Sequence, residues 1–153
     1  MKTIIDCINT ETAHKISRAE EGKKIIFVSN QYDLVCDVVP IENCVFNKVV
    51  GGKRCDYLFL FDKTKQTYNI LKNKNSLAYY VELKGSELKE ACKQLLNSIL
   101  ETKDQIPDFD IIPLVVSSHK FVPNIHNNAS NRALIRLVKK KTQFELTPYT
   151  INI

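Results

Sequence analysis

A chain of 153 residues with 44% hydrophobic and 25% charged residues suits one soluble domain with one core, spanning 1–153. Its net charge of +5 is compatible with a polyanionic partner without demanding one. No run of about 18 apolar residues exists, which excludes a membrane-spanning helix, and Asp6 and Glu11 stand where a signal peptide needs apolar residues, so a cytoplasmic location is expected.

The segment "TETAHKISRAEEG" reads as a first helix, capped by Thr10 or Thr12 and ended by Gly22. "KKIIFVSN" follows as a short strand. Two β-like runs come next, around Leu34–Val39 and Val45–Val50, with Pro40 between them and Gly51-Gly52 as a turn. The run Tyr57–Phe61 is apolar at every position, as expected of a strand covered on both faces. "KQTYNILKN" reads as its hairpin partner or as a connection, and "SLAYYVELKG" is the next strand. Leu88, Ala91, Cys92, Leu95, Leu96, Ile99 and Leu100 then recur at helical spacing, with Ser86 as the natural cap. "DFDIIPLVVSSHK" is another buried strand, and the tail reads as a helix followed by a short strand. The order predicts a mixed sheet with helices packed on it.

Five cysteines (Cys7, Cys36, Cys44, Cys55 and Cys92) are irregularly spaced and form no C-x-x-C pair. Reduced, buried thiols are expected; a zinc site from Cys36, Cys44, Cys55 and a histidine ranks below that. Among the histidines, His119 follows the last core strand and is the one placed to approach a site there. Arg132, Arg136, Lys139, Lys140 and Lys141 form the densest basic run, on a predicted helix. They are candidates for nucleic-acid contact, with a solvated helix face as the alternative.

Alternation along a strand puts Tyr80, Glu82 and Lys84 on one face and Val81 and Leu83 on the other, towards the following helix. Asp56 opens the preceding apolar strand, and a hairpin between the two would bring it beside Glu82. Two carboxylates in proximity repel, and a divalent cation removes that penalty. Mg²⁺ favours one or two carboxylates with waters and a phosphate oxygen, and a lysine beside it serves the water or the phosphate. The bland alternative is a strand cap at Asp56 and an ion pair of Glu82 with Lys84 on a solvated face.

"RCDYLFLF" followed by "YYVELKGSELKEACKQLL" resembles the PD-(D/E)xK nuclease superfamily, the restriction-endonuclease-like fold. The resemblance covers mainly Lys53 to Ser117, with the first helix as a weaker match. It implies an α/β (α+β) mixed sheet flanked by helices, built as helix, three strands, helix, strand. Asp56 matches the acidic residue of the second core strand. Glu82 and Lys84 match the (D/E)xK element, and Cys55 stands where the motif has proline. Gln94 resembles the glutamine on the following helix in the exonuclease branch. The resemblance implies phosphodiester hydrolysis with Mg²⁺ or Mn²⁺ as cofactor, on DNA rather than RNA. Asp56, Glu82, Lys84 and Gln94 would be catalytic, with Asp56 and Glu82 as metal ligands. A further acid is implied, from Glu11, Glu20 or Glu21 in the first helix or from Glu42 in the loop. A homodimer or a subunit of a larger defence or repair complex would suit so small a chain. The alternative is a nuclease-fold binding or assembly protein without activity.

Overall fold

The computed structural model describes residues 1–12, 17–21, 24–29, 35–47, 53–66, 75–119 and 124–152. In chain order these form β1 (Asn9–Thr12), β2 (Ser17–Glu21), β3 (Lys24–Ser29), β4 (Val35–Pro40), a π-helical turn (Ile41–Val45), β5 (Tyr57–Phe61) and β6 (Ser76–Lys84). Helix α1 (Leu88–Thr102), β7 (Phe109–Ser117), α2 (Ala129–Val138), β8 (Gln143–Leu146) and β9 (Tyr149–Asn152) complete the chain. A six-stranded mixed sheet has the order β1-β4-β5-β6-β7-β8, antiparallel from β1 to β6 and parallel from β6 to β8. A smaller sheet has the order β2-β3-β9.

The large sheet is covered on both faces, which is why β5 is apolar throughout. Leu58 and Leu60 pack with Ala78, Tyr80, and Leu95 and Ile99 of α1, whereas Phe59 and Phe61 pack with Val81, Leu83, Leu114 and Ile151 of β9. Side chains buried this completely each contribute about 1.5–3 kcal/mol. The expected crossover is present, since β6 and β7 run parallel with α1 between them.

Several expectations need correction. The first helix does not form: β1 and β2 occupy that stretch, paired with β4 and β3. Ala13, Ile16 and Ala19 are its only strongly apolar face-formers, too few to bury a helix face, so pairing in a sheet wins. The β-like run expected around Val45–Val50 does not begin as a strand, because Val45 closes the π-helical turn; its remainder at 48–50, with 51–52 and 67–73, lies outside the described residues. Ser86 does not cap α1 through its side chain; Glu87 holds the cap position without a side-chain bond, and the Leu88 N–H donates to the Ser86 carbonyl.

The face assignment of β6 is reversed. Tyr80 and Glu82 lie on the α1 side, where the Tyr80 hydroxyl meets the Thr102 hydroxyl at 2.7 Å, and Val81 and Leu83 face the smaller sheet. The apolar Val81 and Leu83 had suggested the helix as their cover, but β9 provides it. Helix α2 ends at Val138 with Lys139 left-handed at φ 60°, so Lys139, Lys140 and Lys141 lie beyond the helix rather than on it. Finally, Cys7 and Cys44 are joined as a disulfide, while Cys36, Cys55 and Cys92 remain buried cysteines outside any disulfide. The proposed zinc site therefore loses Cys44.

Candidate functional site at the end of strands β5 and β6

The antiparallel register pairs Tyr57 with Val81. Continued by one residue, it sets Asp56 directly opposite Glu82, on the helix-covered face. The ladder stops there because the Asp56 carboxylate turns in: its Oδ2 accepts from the Leu83 N–H at 2.8 Å. Chain segment 53–56 is then stapled to α1. The Cys55 N–H donates to Ser98 Oγ at 2.8 Å, and Gln94 Nε2 donates to the Arg54 carbonyl at 3.1 Å. On its other side the same segment meets the π-helical turn, whose Ile41 and Glu42 N–H groups donate to the carbonyls of Asp56 and Cys55 at 2.9 and 3.2 Å. Both strand ends are thus fixed by bonds to backbone groups, some from the backbone of the π-helical turn and some from the side chains of Asp56, Gln94 and Ser98.

These anchors open onto a cavity of about 300 Å³ lined by Glu42, Lys53, Asp56, Glu82, Leu83, Lys84, Gly85 and Gln94. Glu82 is only 2% exposed, and its Oε2 has no hydrogen-bond partner. Burial, and then the nearby Asp56 carboxylate, push its carboxyl up from an ordinary 4.5 to about 9; Lys84 opposes this and Glu42 adds to it. A buried carboxyl with one oxygen unpaired, facing another acid, is costly to ionise in a folded protein unless something positive completes it.

Lys84 stands beside the pair. Its Nζ lies 4.0 Å from Glu82 Oε1, donates to Gln94 Oε1 at 3.0 Å and meets Glu90 Oε2 at 3.1 Å. Gln94 is buried and so spans two elements, holding Lys84 with its oxygen and the Arg54 carbonyl with its nitrogen. Thus Asp56, Glu82, Lys84 and Gln94 all reach one cavity.

Of the four candidate acids, Glu42 lines this cavity; Glu11 sits on β1, and Glu20 and Glu21 on β2, with side chains outside the described ones. His119 flanks the site: its Nδ1 lies 2.9 Å from the carbonyl of Gly85, the residue after Lys84. His126 instead packs edge-on against Phe144, and His14 lies outside the described residues.

The basic tail is not brought to the cavity. Arg132, Arg136, Lys139, Lys140 and Lys141 are exposed, and Lys140 lies 3.7 Å from Asp110. Asp110 pairs with Leu77 at the far end of β6, seven residues from Lys84, or roughly 23 Å at 3.3 Å per residue.

Lys53 and Glu90 are residues that motif reading missed. Their signal was weak: Lys53 lies three residues before Asp56, and Glu90 four before Gln94 on α1. The supporting row of Gln94, Ser98 and Thr102 was legible in principle, because three polar residues at i, i+4, i+8 beside an apolar stripe mark a buried polar seam.

Among the described residues no group of three or more His, Cys, Asp and Glu side chains stands together as a metal cluster. A Mg²⁺ site of two carboxylates with waters needs no such group. The donor set, hard oxygens with one orphaned at Glu82, fits a hard divalent cation held by Asp56 and Glu82. No family model, curated protein or solved structure matches the chain.

Proposed function

We propose that this chain is a small Mg²⁺- or Mn²⁺-dependent nuclease of the PD-(D/E)xK type, hydrolysing phosphodiester bonds in DNA rather than RNA. The observation that carries the reading is the buried Glu82 carboxyl, its Oε2 without a hydrogen-bond partner, set opposite Asp56 with Lys84 beside it. A solvated ion pair would not be buried or leave a carboxyl oxygen without a partner, which weighs against the bland alternative. The mixed sheet, with a helix between its parallel central strands, supports the same reading.

In this scheme Asp56 and Glu82 hold the cation and Glu42 adds negative charge at the rim. A bound Mg²⁺ supplies Lewis acidity towards a phosphoryl oxygen and a more acidic water. Lys84 orients the attacking water or the scissile phosphate, and Gln94 keeps the lysine aimed. Preference for DNA, a homodimeric or larger assembly and a cytoplasmic setting follow from the family resemblance and the composition, and belong to the same proposal.

The test is cleavage of labelled DNA with Mn²⁺ beside an EDTA control. Asp56→Asn and Glu82→Gln should each abolish cleavage, and Lys84→Ala should reduce turnover by about 100-fold or more, the scale of one positioned acid–base group, while sparing Mn²⁺ binding by calorimetry. Wild-type protein no more active than its EDTA control would leave a binding or assembly protein instead.

A further inference from the structure

Lys53, Lys84 and Glu90 form a bridge that the roles above leave unused. Glu90, on the first turn of α1, reaches Lys53 Nζ at 2.9 Å through one carboxylate oxygen and Lys84 Nζ at 3.1 Å through the other. Both lysines line the acidic cavity. Lys53, Glu90 and Gln94 also line an adjoining hollow of about 200 Å³ with Lys93 and Asn97. Glu90 therefore lines the smaller hollow while pairing with two lysines of the acidic cavity, an anion shared by two ammonium groups. Hydrogen bonding to Glu90 holds the Lys53 ammonium above its ordinary range, and Lys53 and Lys84 together hold the Glu90 carboxyl below its own.

The side chains of Lys53 and Glu90 are 64% and 35% exposed. Bridges this open are weak and exchange readily with other anions. A phosphodiester strand brings the same single charge per phosphate as a carboxylate, and its binding releases condensed counterions. Without Glu90, Lys84 keeps the Glu82 carboxylate 4.0 Å away, where the ammonium would compete with a cation.

We infer that Glu90 is a resident stand-in for a substrate phosphate. A non-bridging phosphate oxygen of the nucleic-acid strand replaces its carboxylate on Lys53 and Lys84, and the adjoining hollow receives the neighbouring nucleotide. Glu90 is a positioning residue that keeps Lys84 off Glu82 until the strand arrives, and Lys53 is a substrate-binding residue. The inference rests on the nuclease reading for the identity of its ligand.

The test is binding of a short fluorescent single-stranded oligodeoxynucleotide, in EDTA so that no cleavage intervenes. Glu90→Gln should tighten binding about threefold, the scale of one exposed ion pair. Glu87→Gln, an equal charge change one turn earlier on an exposed side chain, should alter it by much less. Lys53→Gln should weaken binding, and in that background the gain from Glu90→Gln should fall by more than half. Equal effects of the two Gln variants, or a full gain that survives loss of Lys53, overturn the inference. Mn²⁺-dependent cleavage of the same oligonucleotide separates the two levels. An active wild type with a flat binding series removes the stand-in alone, whereas a wild type that neither binds nor cleaves removes both readings.

Discussion

Glu82 places its carboxyl where ionisation is opposed, and this has a consequence for stability without metal. Its folded pKa, about 9, lies above the ordinary 4.5. Folding therefore favours the protonated form: the associated stability is full below about pH 4.5 and is lost as pH rises towards about 9. Glu82→Gln keeps the shape and cannot ionise. In EDTA its melting temperature should exceed that of the wild type by a margin that widens across this window. A margin constant with pH would show that Glu82 is not held neutral. Added Mg²⁺ should raise the melting temperature of the wild type and leave Glu82→Gln nearly unmoved, since the cation stabilises only the ionised pair. At this scale the sequence was informative. Asp56, Glu82 and Lys84 are legible from strand alternation and a short resemblance, because Glu82 and Lys84 lie on β6 and Asp56 immediately precedes β5, strands whose period is readable. Glu42 could be chosen only in three dimensions, because a π-helical turn, which no sequence period announces, carries it to the cavity.

Helix α1 anchors the site through polar residues next to its apolar stripe. Ser98 Oγ accepts the Cys55 N–H in a fully buried setting, so Ser98→Ala would strand that donor. Such a loss costs about 1–3 kcal/mol, and denaturant melts should show it. Because Cys55 adjoins Asp56, the variant should also lose turnover, with DNA affinity in EDTA unchanged; a stable, fully active variant would mean that the staple does not position Asp56. The strongly patterned elements β5, β6, α1 and β7 were all legible, since apolar runs and a 3.6-residue stripe report burial directly. The first helix is replaced by strands because thirteen mostly polar residues offer no dominant period, and pairing with β4 and β3 decides the outcome. The reversed face of β6 has the same origin: alternation shows which residues share a face but not which neighbour covers it.

Across the whole molecule, the catalytic candidates gather at one end of the large sheet while Lys140 sits near the other, beside Asp110. The separation of roughly 23 Å corresponds to about seven base pairs at 3.4 Å each. Replacing Lys139, Lys140 and Lys141 with Gln should leave binding of DNA shorter than this unchanged. Binding of longer duplexes should weaken, with a flatter salt dependence and any sequence preference retained. Equal binding of long duplexes by both proteins would return the tail to a solvated surface. Neither the distance nor the break of α2 at Lys139 could be read from the run of charges alone.

The Cys7–Cys44 bond closes a loop of 37 residues that includes β1 to β4. Cross-linking a loop of this length removes enough unfolded-chain entropy to stabilise the fold by about 4 kcal/mol in the chain-entropy account. Because Cys44 lies two residues after Glu42, the rim of the cavity is covalently tied to the N-terminal turn. Thiol alkylation under denaturing conditions without reductant should label three cysteines, and all five after reduction. The reduced protein, and a Cys7→Ser/Cys44→Ser variant, should melt at lower temperature by the same amount. Where the surrounding thiol pool is oxidising the tie holds, and where it is reducing the strap on Glu42 is released.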